Sequence, residues 1–158
     1  VRKNRLVIVL PGDVLFDTNK DKIRNEGKDA LRKLAEVIRT DDGLLGREYQ
    51  VAGHTDDQKI RGGAFADNLQ LSLARGRAVH AFLTDPKEGQ LPRERWSAAG
   101  YADTDPVGTN ETPEGRQKNR RCEIVVVPAL SEMLDLRHLA EEPKKPAAAP
   151  PPAAPKTP

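Results

Sequence analysis

The chain has 158 residues, with 26 Lys and Arg against 24 Asp and Glu and a formal net charge of +2, a size that fits one domain with a real core. Its charges of both signs are interspersed, and one Trp, two Tyr and three Phe are too few for the basic stacking platform of a nucleic-acid binder. A single cysteine excludes an internal disulfide, and the longest apolar run near the start, residues 6–10, is far short of the ~20 residues a helix needs to cross a bilayer.

Residues 5–10 are rich in β-branched and aliphatic side chains and run into Pro11 and Gly12, which predicts a buried strand. A loop over 13–20 carries Phe16, Asp17 and Thr18. Ile23, Gly27, Leu31, Leu34 and Ile38 recur at helical spacing, so a helix is predicted over 25–39, stopped by Asp41, Asp42 and Gly43. Residues 48–53 read as a second strand and 57–67 as a long polar loop. A second helix is predicted over 66–84, ending at Asp85 and Pro86. Residues 97–101 form a third strand, 113–118 a short helical turn and 120–127 a fourth strand. In that last strand Cys122, Ile124 and Val126 alternate with Arg121, Glu123 and Val125, which turns Cys122 to the core as a packing residue. This order describes an α/β chain folded as an α+β sandwich, with two main helices packed on one face of a four-stranded mixed sheet. The domain is assigned residues 1–128. Residues 129–142 read as a short helical extension, with Leu130, Met133 and Leu134 able to lie back on the domain. Residues 143–158 hold seven prolines and cannot pack a core, so they read as a disordered, extended and solvated tail.

At 100° per residue Leu71, Ala74, Ala78 and Phe82 form the apolar stripe of the second helix, and Asn68 and Arg75 fall on it. An inward guanidinium is unfavourable by several kcal/mol unless a carboxylate or carbonyls meet its donors. Asp56, where the chain leaves the second strand, is the nearest candidate. Two readings stand. Asp56 and Arg75 form a structural salt bridge, or they flank a small cleft in which Asp56 takes an ammonium and Arg75 grips a carboxylate of one zwitterion. His54 and Asp56 share a strand face in this reading, which admits an acid/base or metal pair. No third ligand, nucleophile motif or phosphate loop accompanies them, so no catalytic residue, metal or cofactor is expected.

Gly-His-Thr-Asp at 53–56, Asn68 with Leu71, Ser72 and Arg75, Gly100 and Tyr101, Pro106, Asn110, Thr-Pro-Glu-Gly-Arg at 112–116 and Asn-Arg-Arg at 119–121 resemble, in order and spacing, the OmpA-like domain. This is the C-terminal module shared by OmpA, Pal and MotB proteins, and the resemblance covers residues 5–128. It implies non-covalent binding of peptidoglycan through the meso-diaminopimelate of its stem peptide, with Asp56 on the amine and Arg75 on the carboxylate. Around that pair, Asn68, Thr55, Asp17, Thr18 and Arg120 are expected as further ligand contacts, and Arg116, Asn119 and Leu71 as support. The resemblance implies a domain in the periplasm of a Gram-negative cell, tying an envelope protein to the wall. Its link to the outer or inner membrane is expected upstream of Val1, as a lipid anchor, barrel, coiled coil or transmembrane helix. Peptidoglycan is the expected partner, nucleic acid is not, and a second copy of the chain is carried as a candidate.

The chain departs from the family pattern in three places. Gly76 stands where alanine is usual, which weakens helix propensity by up to about 1 kcal/mol. Cys122 replaces a usual valine. The 57–67 loop is longer than in typical OmpA or Pal domains and looks MotB-like, which keeps an alternative in view: the wall anchor of a flagellar stator subunit. An enzyme of wall metabolism using His54 and Asp56 is the remaining alternative.

Overall fold

The computed structural model describes residues 6–128. The chain runs β1 (Val7–Pro11), α1 (Gly12–Leu15), α2 (Asn25–Thr40), α3 (Asp42–Leu45), β2 (Glu48–His54), α4 (Asn68–Thr84), a 3-10 turn (Arg93–Arg95), β3 (Trp96–Gly100), α5 (Pro113–Asn119) and β4 (Arg121–Val127). The strand order is β1-β4-β2-β3. β4 lies antiparallel to both neighbours, whereas β2 and β3 are parallel, a pairing that requires a crossover, here supplied by α4. This is the mixed four-stranded sheet with two main helices on one face that the sequence pattern predicts. No helix among the described residues is long and apolar enough to cross a membrane.

Strand register puts Ile8, Leu10, Tyr49, Val51, Trp96, Cys122, Ile124 and Val126 on the helix-bearing face of the sheet. There they pack with Leu31, Ala35 and Ile38 of α2 and Val79, Phe82 and Leu83 of α4 in one core, each large apolar side chain contributing roughly 1.5–3 kcal/mol. Tyr49 and Trp96 stack with ring centroids 4.4 Å apart, which closes the end of the core remote from the β2 C-terminus. Cys122 sits in this core, as its alternation pattern predicts.

Three local differences from the predicted elements have physical causes. The 13–20 segment opens with the single turn α1, and Asp41 begins α3 as well as ending α2. Asp41 accepts the Leu44 amide at 3.0 Å, an N-cap that a four-residue helix too short for periodicity depends on. The buried line of α4 is Leu71, Ser72, Arg75, Gly76, Val79, Phe82 and Leu83, so the helix is rolled relative to the predicted stripe, and Ala74 and Ala78 are only half-buried. Two glycines allow that roll. A Cβ on Gly53 would stand 2.0 Å from the Ser72 carbonyl oxygen, and one on Gly76 would stand 2.9 Å from that of Ala99. The helix backbone therefore lies almost on the sheet.

On the opposite face, Arg121 donates Nε to Glu123 at 2.6 Å, with both side chains buried. The predicted helical extension at 129–142, the tail at 143–158 and the first residue of the predicted first strand lie outside the described residues.

Candidate ligand-binding cleft

Topology gathers the predicted site residues at one end of the sheet. β2 ends at His54, which pairs with Arg121 at the start of β4, so Thr55 and Asp56 leave the sheet next to Arg120. The first turns of α4 carry Asn68, Leu71 and Arg75, and the loop after α1 carries Phe16, Asp17 and Thr18. These side chains line one cleft of about 420 Å³, together with Gly12, Asp13, Asn19, Gln58, Lys59 and Ile60.

Arg75 is 6 % exposed. It donates Nε to the Lys20 carbonyl at 2.9 Å and Nη2 to the Asp17 carbonyl at 3.1 Å. Its guanidinium carbon lies 5.1 Å from the Phe16 ring centroid, a cation–π arrangement. Burial lowers its pKa, and the nearby charge of Arg120 acts in the same direction while Asp56 opposes it. Among the described residues no carboxylate stands within ion-pair distance of this guanidinium.

Asp56 is 7 % exposed. Its Oδ2 accepts Arg120 Nη1 at 2.6 Å and its Oδ1 accepts the Gln58 amide at 3.2 Å. The Asp56–Arg75 salt bridge, one of the two readings of the pair, is thus not formed: Arg120 partners Asp56, and backbone carbonyls partner Arg75. Those carbonyls lie 55 and 58 residues away in sequence, in a loop whose pattern carries no sign of them.

Asn68 follows the N-cap of α4, which is Asp67, accepting the Gln70 amide at 2.8 Å. Its own Nδ2 donates to the carbonyls of Asp56 at 3.2 Å and Gln58 at 3.1 Å, so it ties the Asp56 loop to the helix. Thr55 Oγ1 donates to the Asp56 carbonyl at 2.8 Å. The Thr55 amide reaches the carbonyl of Ala102 at 2.8 Å, whose φ of 50° is unfavourable for a side chain bearing Cβ. The Ala102 amide is held in turn by Ser72 Oγ at 3.0 Å. Asp17 places its carbonyl on Arg75 and its carboxylate near Lys20 and Arg24, at 3.5 and 3.8 Å.

The supporting residues lie behind this wall. Asn119 is fully buried, accepts the amides of Val107 and Gly108 at 2.8 Å each, and donates to Gly108 O and Asn110 Oδ1. Arg116 donates to the Asn110 carbonyl at 2.7 Å. Together they hold the 105–112 loop whose far end leads, through α5, to Arg120. Leu71, buried, is itself part of the cleft lining.

His54 does not belong to this cleft. It stacks on Tyr101 with centroids 5.1 Å apart, and its Nε2 lies 3.7 Å from Glu123 Oε2, on the sheet face away from the helices. The shared strand face expected for His54 and Asp56 fails because β2 stops at His54 and Asp56 is already in the loop. Among the described residues no group of three His, Cys, Asp or Glu is placed to hold a metal ion. Sequence reasoning missed Gln58, Lys59 and Ile60 as cleft residues; only their membership of the long loop after Asp56 hinted at it.

The OmpA family model matches residues 15–120, well over half of the chain. Motility protein B of Bacillus subtilis is 32 % identical over 124 residues, 78 % of this chain and 45 % of that protein. The chain spans about half the length of the curated relatives it matches. Among solved structures, the cell wall anchor of the type VI secretion system from Pseudomonas aeruginosa is 34 % identical, covers 79 % of this chain and 82 % of its own, and superposes with a TM-score of 0.67. The periplasmic domain of Helicobacter pylori MotB, 22 % identical, superposes over 87 % of this chain and 92 % of its own with a TM-score of 0.73, a likeness of fold. Family match, relatives and sheet topology agree, and the chain belongs to the OmpA family.

Proposed function

We propose that the cleft binds peptidoglycan non-covalently through the diaminopimelate of its stem peptide, and that the domain thereby ties an envelope protein to the cell wall from the periplasmic side. The observation that carries this reading is the pairing of opposite charges in one cleft: the Asp56 carboxylate and the Arg75 guanidinium both line it, and Arg75 has its remaining donors uncommitted to any carboxylate among the described residues. A zwitterionic amino-acid centre matches that pair, with its carboxylate on the Arg75 fork and its ammonium on Asp56. The 34 % identity to a protein described as a cell wall anchor supports the anchoring role. Similarity to Motility protein B favours a second reading of the task, anchorage of a motor stator, with the same ligand and cleft.

The test is titration calorimetry with a meso-diaminopimelate stem peptide against the parent, Asp56→Ala and Arg75→Ala, each variant first shown to melt cooperatively. Binding by the parent is expected, with a loss of roughly 2 to 5 kcal/mol in each variant, because each truncation leaves a desolvated ligand charge unpaired. Equal binding of a lysine-containing peptide, which lacks the carboxylate, would sink the reading.

A further inference from the structure

We propose that Arg120 is an exchangeable counterion: a ligand ammonium takes its place on Asp56, and the released guanidinium takes a ligand carboxylate other than the one gripped by Arg75. This rests on the diaminopimelate reading and deepens it by naming the matched ligand class, one ammonium with two carboxylates within reach.

Three observations carry it. Of the three carboxylates that line the cleft, Asp13 accepts from Gln117 and Asp17 lies near Lys20 and Arg24, which leaves Asp56 to serve the two guanidinium groups Arg75 and Arg120; it accepts from Arg120 at 2.6 Å. The two partners of that ion pair differ in freedom, since the Arg120 side chain is 39 % exposed and the Asp56 side chain 9 %. Asp56 is also fixed through Oδ1 by the Gln58 amide and through its carbonyl by Thr55 and Asn68. Besides that ion pair, Arg120 is anchored among the described residues through its main chain, whose amide donates to the Arg116 carbonyl at 3.0 Å and whose carbonyl accepts the Gly12 amide at 2.8 Å. Among the described residues its side chain makes one hydrogen bond, to Asp56. Arg75, by contrast, is locked by two carbonyls and the Phe16 ring.

Arg120 is the more exposed member of this pair and has no second side-chain hydrogen bond among the described residues, so in the proposed exchange Arg120 moves and the other two groups stay. The partners open to Asp56, Arg75 and Arg120 then select the ligand. A plain zwitterion satisfies Asp56 and Arg75 but strips Arg120 of its partner. A ligand with one more carboxylate converts one ion pair into three, and a guanidinium takes such a group in bidentate fashion. In a stem peptide the amine and carboxylate at the distal centre of diaminopimelate supply the zwitterion, and a main-chain carboxylate supplies the third group.

The experiment titrates two stem peptides into the parent and into Arg120→Gln, with melting curves as the check on folding. Both peptides keep the distal amine and carboxylate; one has its remaining carboxylates free and the other has them amidated. The parent should prefer the free form by about tenfold, and the preference should fall to about one in Arg120→Gln. Arg120→Lys, which keeps the charge without the fork, should retain part of it. A preference unchanged in Arg120→Gln, or equal loss of both peptides, overturns the exchange, as does a parent that binds both peptides alike. A folded parent that binds neither peptide overturns the diaminopimelate reading itself, and the exchange with it.

Discussion

Arg75 donates two of its groups to the carbonyls of Lys20 and Asp17, so the loop after α1 sets the orientation of a guanidinium that lines the cleft. Burial of a charge in this way is tolerable because carbonyl dipoles and an aromatic face replace part of the lost hydration. That the side chain turns inward was legible from helical periodicity, a local property. Its partners were not, because they come from a distant irregular loop. Cys122 was legible for the same local reason, and its environment yields a prediction. Burial pushes its thiol up to about 12 from an ordinary 9.0, so between pH 9 and 12 the native state holds a proton there that the unfolded chain has released. Stability is therefore full below pH 9 and falls as pH rises toward 12, by up to about 1.4 kcal/mol per pH unit from this group. Denaturant titrations at pH 8 and 10.5 on the parent and Cys122→Val should show a steeper decline in the parent. At pH 8 the thiol should resist alkylation until the protein is unfolded.

At the scale of elements, the packing of α4 on the sheet decides both stability and the site. The sequence marks Gly76 as a weak point in a helix, and the structure gives it a compensating role, since its bare backbone approaches the Ala99 and Val51 carbonyls. Gly76→Ala gains up to about 1 kcal/mol of helix propensity but drives a methyl group to 2.9 Å from a backbone oxygen. A net destabilisation of roughly 1–3 kcal/mol is expected in chemical denaturation. Gly53→Ala should be worse, because its methyl would collide with the Ser72 backbone at 2.0 Å. It should also weaken ligand binding more than Gly76→Ala does, since Gly53 stands three residues before Asp56 at the mouth of β2. Gly76→Ala more stable than the parent would show that α4 has room to lift off the sheet. The helix and strand periods foretold these elements well, while α1 and α3, each a single turn set by one cap or one close contact, left no periodic trace.

Across the whole molecule, charges of both signs nearly cancel at a formal +2, so long-range steering of a charged ligand is weak. In the proposed reading, recognition depends mostly on the buried Asp56 and Arg75, and buried pairs are screened much less than surface ones. Affinity for the stem peptide should fall by less than about tenfold between 0.05 and 0.5 M salt, measured by calorimetry; a steeper fall would indicate a broad surface contact in place of the cleft. Read alone, the sequence yielded the order of the main elements, the layering of two helices on one sheet face, the core side of β4 and, through the family resemblance, a part of the residues that gather at the cleft. These follow from side-chain periodicity and from motifs whose spacing is written along the chain. The pairings came from the three-dimensional arrangement: Arg120 with Asp56, carbonyls with Arg75, His54 with Tyr101 and Glu123. Charge partners are chosen by distance in space and by competition among neighbours, and the arrival of Arg120 beside Asp56 depends on the β2–β4 register, which no local pattern encodes.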